Sequence, residues 1–119
     1  MQLLIITGNL GKDPEMRYTP DGKAVTAFSV GVKDGKKTLW VKVSVWETLG
    51  EMCNHYLHKG SKVQVIGRLQ YTEKGQPRTY ETKDGQHAAS FEMTAQQVEF
   101  LSAKEPDAAP VANEAEIPF

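Results

Sequence analysis

Two tryptophans, a lysine and a serine share one side of a ten-residue stretch, Thr38-Leu-Trp-Val-Lys-Val-Ser-Val-Trp-Glu47. The segment alternates with period two, the pattern of a strand with one buried face. Leu39, Val41, Val43 and Val45 form the core side, and Trp40, Lys42, Ser44 and Trp46 the side left to solvent. A flat indole can stack on any base and a lysine can meet a phosphate, so this face has the parts of a nucleic-acid platform. At ~3.3 Å per residue the two rings stand roughly 20 Å apart along the strand. The same tryptophans could equally pack under a loop, against a helix or between subunits. Alternation alone leaves both uses open. Lys42 between the rings argues against a dry interface, because lysine is depleted from interface cores.

Tyr80 is a third candidate. It lies in a polar stretch, two residues after Arg78, with no apolar neighbours to draw it into a core. Stacking on a base and packing back on its own hairpin both fit that setting. Further cations stand in polar contexts: Lys12, Arg17, Lys33, Lys36, Lys37, Arg68, Lys74 and Arg78. Each could meet a phosphate, and each alone reads equally as a solvated charge. Tyr18, Tyr56 and Tyr71 read as core or rim packing.

The net charge of −1 argues at first against a polyanion ligand, but it hides an asymmetry. Glu105, Asp107, Glu114 and Glu116 close the chain with no Lys or Arg among them. Residues 1–104 therefore hold 14 basic against 11 acidic side chains, a mildly basic body with an acidic tail.

Signals for other chemistry are weak. His55 and His58 are spaced i, i+3 near Cys53, yet a zinc site needs three or four convergent ligands. Gly8-x-x-Gly11-Lys12 is too short for a phosphate-binding loop and is followed by Asp13, not Ser or Thr. There is no nucleophile elbow and no paired-carboxylate motif. We expect no enzyme activity, no cofactor and no metal.

The elements that must position these side chains read as follows. Residues 2–7 are an apolar strand, interrupted by Gly8-Asn9-Leu10-Gly11 as by a bulge or sharp bend. Glu15–Tyr18 is a short strand, and Thr19-Pro20-Asp21-Gly22 is a turn. Ala24–Val32 is a strand with Phe28, Val30 and Val32 on one face. Asp34-Gly35 makes a tight hairpin into the tryptophan strand. Leu49–His58 is a short helix with Leu49, Met52, Cys53 and Tyr56 on its apolar stripe, ended by Gly60. Lys62–Tyr71 alternates with Val63, Val65, Leu69 and Tyr71 inward. Residues 72–88 suit a long exposed β-hairpin or loop. Ala89–Leu101 is the last strand, and a phase slip between Phe91/Met93 and Val98/Phe100 predicts a bulge near Gln96 and Gln97. Five strands with one short helix between the third and fourth, and glycines within strands, favour a small closed barrel. That order is the order of the OB-fold, an all-β, five-stranded Greek-key barrel.

The length of 119 residues suits one domain with its own core. We expect that domain at residues 1–102. Residues 103–119 are rich in Ala, Pro and acid, cannot offset the entropy of ordering, and read as a disordered tail. They end in Ile117-Pro118-Phe119, two apolar anchors and a carboxylate. No apolar run of 18 residues suggests a membrane span. The N-terminal run lacks the basic region of a signal peptide, and a single Cys53 fits a reducing compartment, so we expect a cytoplasmic protein.

Three stretches carry a family resemblance. "GNLGKDPEMRYTPDGKAVTAFSVGV", "LWVKVSVWETLGEMCNHYLHKGSKVQVIGRL" and "SFEMTAQQVEFL" closely resemble bacterial single-stranded DNA-binding proteins, over about residues 2–102, and the terminal "EIPF" extends the likeness. The resemblance implies an OB-fold, a homotetramer, and sequence-independent binding of single-stranded DNA in replication, recombination and repair. It implies stacking roles for Trp40, Trp46 and, less securely matched, Tyr80. It also implies that the tip, Glu116-Ile117-Pro118-Phe119, recruits replication and repair proteins. Three departures stand out. The Lys33–Lys37 hairpin lacks the aromatic that many relatives carry there. The tip has Glu114-Ala115-Glu116 where a denser acidic cluster is usual. The tail is short, reaching about 20–25 Å as a flexible coil.

Overall fold

The computed structural model describes residues 1–101. The expected tail and its tip, Glu116, Ile117, Pro118 and Phe119, lie outside the described residues. The chain forms β1 (Leu4–Leu10), β2 (Glu15–Tyr18), β3 (Ala24–Asp34), β4 (Lys37–Trp46), α1 (Glu47–Tyr56), β5 (Lys62–Leu69), β6 (Thr79–Glu81), β7 (His87–Ala89) and β8 (Phe91–Phe100).

Alternation of valine with polar residues gives each long strand one apolar face, and the sheet curls to bury it. The strand order is β1-β5-β8-β4-β3-β2, and β1 also pairs with β3, so five strands close into a barrel. The closing contacts are Asn9↔Gly31 and Leu10↔Val30. β4 and β8 run parallel, and the other pairs are antiparallel. This is a mixed five-stranded barrel with one helix between β4 and β5, consistent with the expected OB-fold. The core is largely valine: Val30, Val43, Val45, Val63, Val65 and Val98 are fully buried with Met93.

Closure forces backbones together at two glycines. A Cβ on Gly8 would collide with the Gly31 carbonyl, and one on Gly67 with the Thr94 carbonyl. Gly67 sits at the register shift that places Ile66 against Gln97 and Gly67 against Ala95. Gln96 is thus the extra residue of a bulge, where the phase slip predicted one.

α1 closes the end of the barrel where β4 ends and β5 begins. Trp46 is its extended N-cap, and Glu47 follows with a left-handed φ of 57°. That conformation, costing a non-glycine residue roughly 1–2 kcal/mol, turns the chain from strand to helix within one residue. Thr26, fully buried, donates its hydroxyl to the Gly50 carbonyl at 2.6 Å. Gly50 admits this approach because a Cβ there would strike the Val45 carbonyl. Cys53 and Leu57 face the core, while Leu49, Met52 and Tyr56 are half-buried. The helix starts and ends two residues earlier than periodicity suggested. It stops at Tyr56 because Leu57 is extended, and Gly60, φ 91°, belongs to the following turn.

Three turns repeat one local solution, at Thr19–Lys23, Thr72–Gln76 and Thr82–Gln86. In each, the glycine N–H donates to the threonine carbonyl, and the threonine N–H donates to the carbonyl of the fifth residue. The threonine hydroxyl oxygen accepts from the fifth residue's N–H at 3.1–3.2 Å. Gly22, Gly75 and Gly85 supply the left-handed φ of 85°, 76° and 80° that this geometry requires. The polar stretch 72–88 is therefore a tight turn followed by the β6–β7 hairpin. That hairpin is a separate two-stranded sheet with Tyr80 opposite Ala88.

Several inward assignments need correction. β1 runs to Leu10, past the predicted break at Gly8, because its second half passes from β5 to β3. Leu39, Leu69, Tyr71 and Phe91 keep the phase of core residues but are exposed. They lie beyond the last buried layer, at the end that no helix covers. The predicted last strand is divided at Ser90 into β7 and β8, whose N–H donates to the Arg78 carbonyl.

Two outcomes follow from this packing. Gly67→Ala should cost about 1–3 kcal/mol through overpacking at the bulge, read as a lower urea midpoint with an unchanged slope. Burial pushes the Cys53 thiol up to about 12, disfavouring the reactive thiolate. At pH 8 it should resist a thiol reagent in the native protein and react at once in urea. Rapid native labelling would contradict the buried placement.

Candidate nucleic-acid interface

The outer face of the barrel is best followed as rows of residues paired across strands. One row sets Asn9 beside Gly31 and Gly31 beside Trp40. The next sets Ser29 beside Lys42 and Lys42 beside Glu92. The third runs from Glu15 through Ala27, Ser44 and Thr94 to Arg68. The fourth sets Arg17 beside Val25 and Val25 beside Trp46. Small side chains on β3, at Ala27, Ser29 and Gly31, leave a low surface beside the β4 row.

Both tryptophans stay open to solvent, Trp40 at 53% exposure and Trp46 at 43%. Trp40 leans over glycine. A Cβ on Gly11 would meet its ring atoms at 2.7 and 2.8 Å, and one on Gly31 at 3.0 Å. The indole thus rests on two backbones. Trp46 stands across from Val25, which is buried although it lies on the outer phase. Arg17 flanks the same valine from β2. Tyr80 is half-exposed on the hairpin. Among the described residues, ring-to-ring contacts join His55 to Tyr56 and Tyr56 to Phe100, and none involves Trp40, Trp46 or Tyr80.

The predicted cations divide into three groups. Lys42, Arg17 and Arg68 share the outer face with the tryptophans, and Lys12 follows Gly11 beneath the Trp40 ring. Lys33, Lys36 and Lys37 cluster at the β3–β4 turn, where Gly35 takes φ 64° at the first central position. Lys74 and Arg78 lie on the 70–90 segment. Arg78 has a partner: its Nη1 lies 3.8 Å from Glu92 Oε1, and the Ser90 hydroxyl donates to Glu92 Oε2 at 2.7 Å. This cluster ties the base of the hairpin to β8 beside Lys42.

Sequence reasoning missed three participants. Gly11 and Gly31 form the floor under Trp40, and the period-two run of small residues Ala27, Ser29, Gly31 was the available signal for the second. Glu92 is an acid within the cationic face, a position only the β4–β8 pairing shows. Among the described residues no group of three His, Cys, Asp or Glu is placed to hold a metal ion. His55 instead packs edge-on against Tyr56, ring centres 4.5 Å apart. No helix among them is long and apolar enough to cross a membrane.

The arrangement is chemically simple: half-exposed aromatic rings with cations at their flanks. The family model described as the single-strand binding protein family matches residues 1–101. The chain is 37% identical over 108 residues to a single-stranded DNA-binding protein of Clostridium tetani, covering 85% of this chain and 70% of that protein. It is 32% identical over 110 residues to one from Neisseria meningitidis serogroup A, covering 85% and 60%. It is 35% identical over 108 residues to single-stranded DNA-binding protein A of Bacillus subtilis, covering 85% and 59%. The match with the Neisseria and Bacillus relatives thus spans about three fifths of their length. The chain belongs to the single-strand binding protein family.

Proposed function

We propose that this chain is a non-enzymatic protein that binds and protects single-stranded DNA without regard to base sequence. The carrying observation is the β4 outer row: two half-exposed indoles with free faces, Lys42 between them, on a low floor of small residues. Base–aromatic stacking contributes on the order of 1–3 kcal/mol per base and tolerates any sequence. A duplex hides its base faces, so stacking selects single strands. Lys12, Arg17, Lys42 and Arg68 meet the phosphates, and released counterions make affinity fall with salt. Lys33, Lys36, Lys37 and Lys74 extend the positive field at one end. Arg78 reaches phosphate only by leaving Glu92, and Tyr80 caps a base from the hairpin.

The same reading includes a homotetramer and work in replication, recombination and repair. Leu3, just before β1, and Ile5, on its outer phase with Ile66 across from it, support self-association as exposed apolar side chains. The proposed contact with partner proteins runs through Glu116, Ile117, Pro118 and Phe119, which lie outside the described residues.

Oligo-dT added at low salt should quench tryptophan fluorescence, and salt should reverse it; absence of quenching would remove the stacking proposal. Trp46→Ala should weaken binding by about 1–3 kcal/mol. Gly11→Ala should lift the Trp40 ring, altering the near-ultraviolet circular dichroism of the free protein and lowering oligo-dT affinity. An unchanged spectrum would show that the glycine floor does not set the ring.

A further inference from the structure

The barrel end opposite α1 is apolar, and among the described residues no helix covers it. β4 and β8 begin there, and β3 and β5 end there. Inside this end the core is complete, with Val41 2% exposed and Met93 fully buried. One step outward on the same phase, Leu39 is 39% exposed, Leu69 42% and Phe91 58%. Phe91 stands beside Val41 on the adjacent strand, and Leu69 stands across from Met93. The last pair of β5 and β8 is Leu69 with Met93, and one residue further on the Gln70 N–H donates to the Glu92 carbonyl at 2.8 Å, which keeps Tyr71 beside the start of β8, where Phe91 stands. Tyr71 is 55% exposed. Neither ring takes part in the ring-to-ring contacts among the described residues.

An exposed apolar patch of this kind marks an interaction surface. Its surroundings identify the occupant. The β3–β4 turn on one side carries Lys33, Lys36 and Lys37 against Asp34. The Thr72–Gln76 turn on the other carries Lys74 beside Glu73, three residues after Tyr71. An apolar floor beside the net-positive β3–β4 turn suits a chain of flat rings on a charged backbone. A lysine-flanked patch is poorly suited to the core of a protein–protein interface. The patch lies close to the tryptophan row in the chain, since Leu39 immediately precedes Trp40 on β4. It leads onward to Tyr80, whose hairpin is held to the start of β8 by the Ser90–Arg78 backbone bond.

We infer that Tyr71 and Phe91 form a second base-stacking platform. The strand passes from Trp46 and Trp40 over the open end of the barrel to reach the Tyr80 hairpin. This rests on the single-strand reading above and adds the path and two residues to it. It supplies aromatic contacts at the end where the Lys33–Lys37 hairpin has none.

The test is an oligo-dT ladder spanning about 4 to 16 nucleotides, the range of site sizes for one OB-fold. Binding is followed by tryptophan quenching and by anisotropy of a labelled strand. Tyr71→Ser with Phe91→Ser should leave the shortest binding oligomers unaffected and weaken the longest by about tenfold or more. Phe91→Trp should keep long-oligomer affinity and add quenching that appears only with the longer strands. Both side chains are more than half exposed, so the variants should keep the wild-type urea midpoint. If the double variant matches wild type at every length while Trp40 and Trp46 are still quenched, the second platform is wrong and the first stands. If wild type itself shows no quenching, the single-strand reading fails and takes this one with it. If the double variant changes the solution mass by sedimentation, the patch is a contact between copies and the inference is overturned.

Discussion

Closure of the sheet on itself is the constraint from which the rest of the molecule follows. A five-stranded barrel buries one face of every strand without help from a second layer, so the opposite face is free for other uses. The cost is concentrated where backbones must approach closely. Gly8 against Gly31 and Gly67 against Thr94 are two such places between strands, where no side chain fits. Gly31 serves twice: its carbonyl receives the approach of Gly8, and its missing side chain gives Trp40 somewhere to lie. The same backbone economy thus closes the barrel and flattens its outer face.

Support of the tryptophans is uneven, and the difference has a physical meaning. Trp40 rests on Gly11 and Gly31, from two separate segments, so its ring has little rotamer freedom left to lose when a ligand stacks on it. Trp46 is fixed from the chain side instead. It is the last residue before Glu47 turns into the helix, and its neighbour Val25 is already buried. One ring is held by what lies beneath it and the other by the backbone that carries it. Both arrangements lower the ordering cost of stacking, which is how half-exposed aromatics become effective anchors.

Much of this was legible in the residues. Alternation gave the strands and the two faces of β4. The Asp34-Gly35 and Thr19-Pro20-Asp21-Gly22 signals gave two turns, and the broken phase near Gln96 gave the bulge. Periodicity could not show where the core runs out. Leu39, Leu69, Tyr71 and Phe91 carry the same pattern as Val41 and Met93, because phase reports the side of a strand and not the depth along the barrel. Pairing between distant strands was equally hidden. Glu92 beside Lys42 depends on a parallel contact between β4 and β8, and Arg78 on Glu92 depends on the return of the hairpin's base to β8.

That parallel contact also shapes the electrostatics of the face. An exposed ion pair such as Arg78–Glu92 contributes at most about 1 kcal/mol, too little to fix the hairpin by itself. The Ser90–Arg78 backbone bond and the Ser90–Glu92 bond share the task. Glu92 is nevertheless an acid in the row that holds Lys42, and it lowers the positive potential there. The face is therefore not a uniform cationic groove. In the proposed complex a phosphate at Lys42 would meet that acid and compete with it for Arg78, and stacking would carry a large share of the affinity. A mildly basic body tolerates this division, since attraction through aromatic faces needs no large net charge.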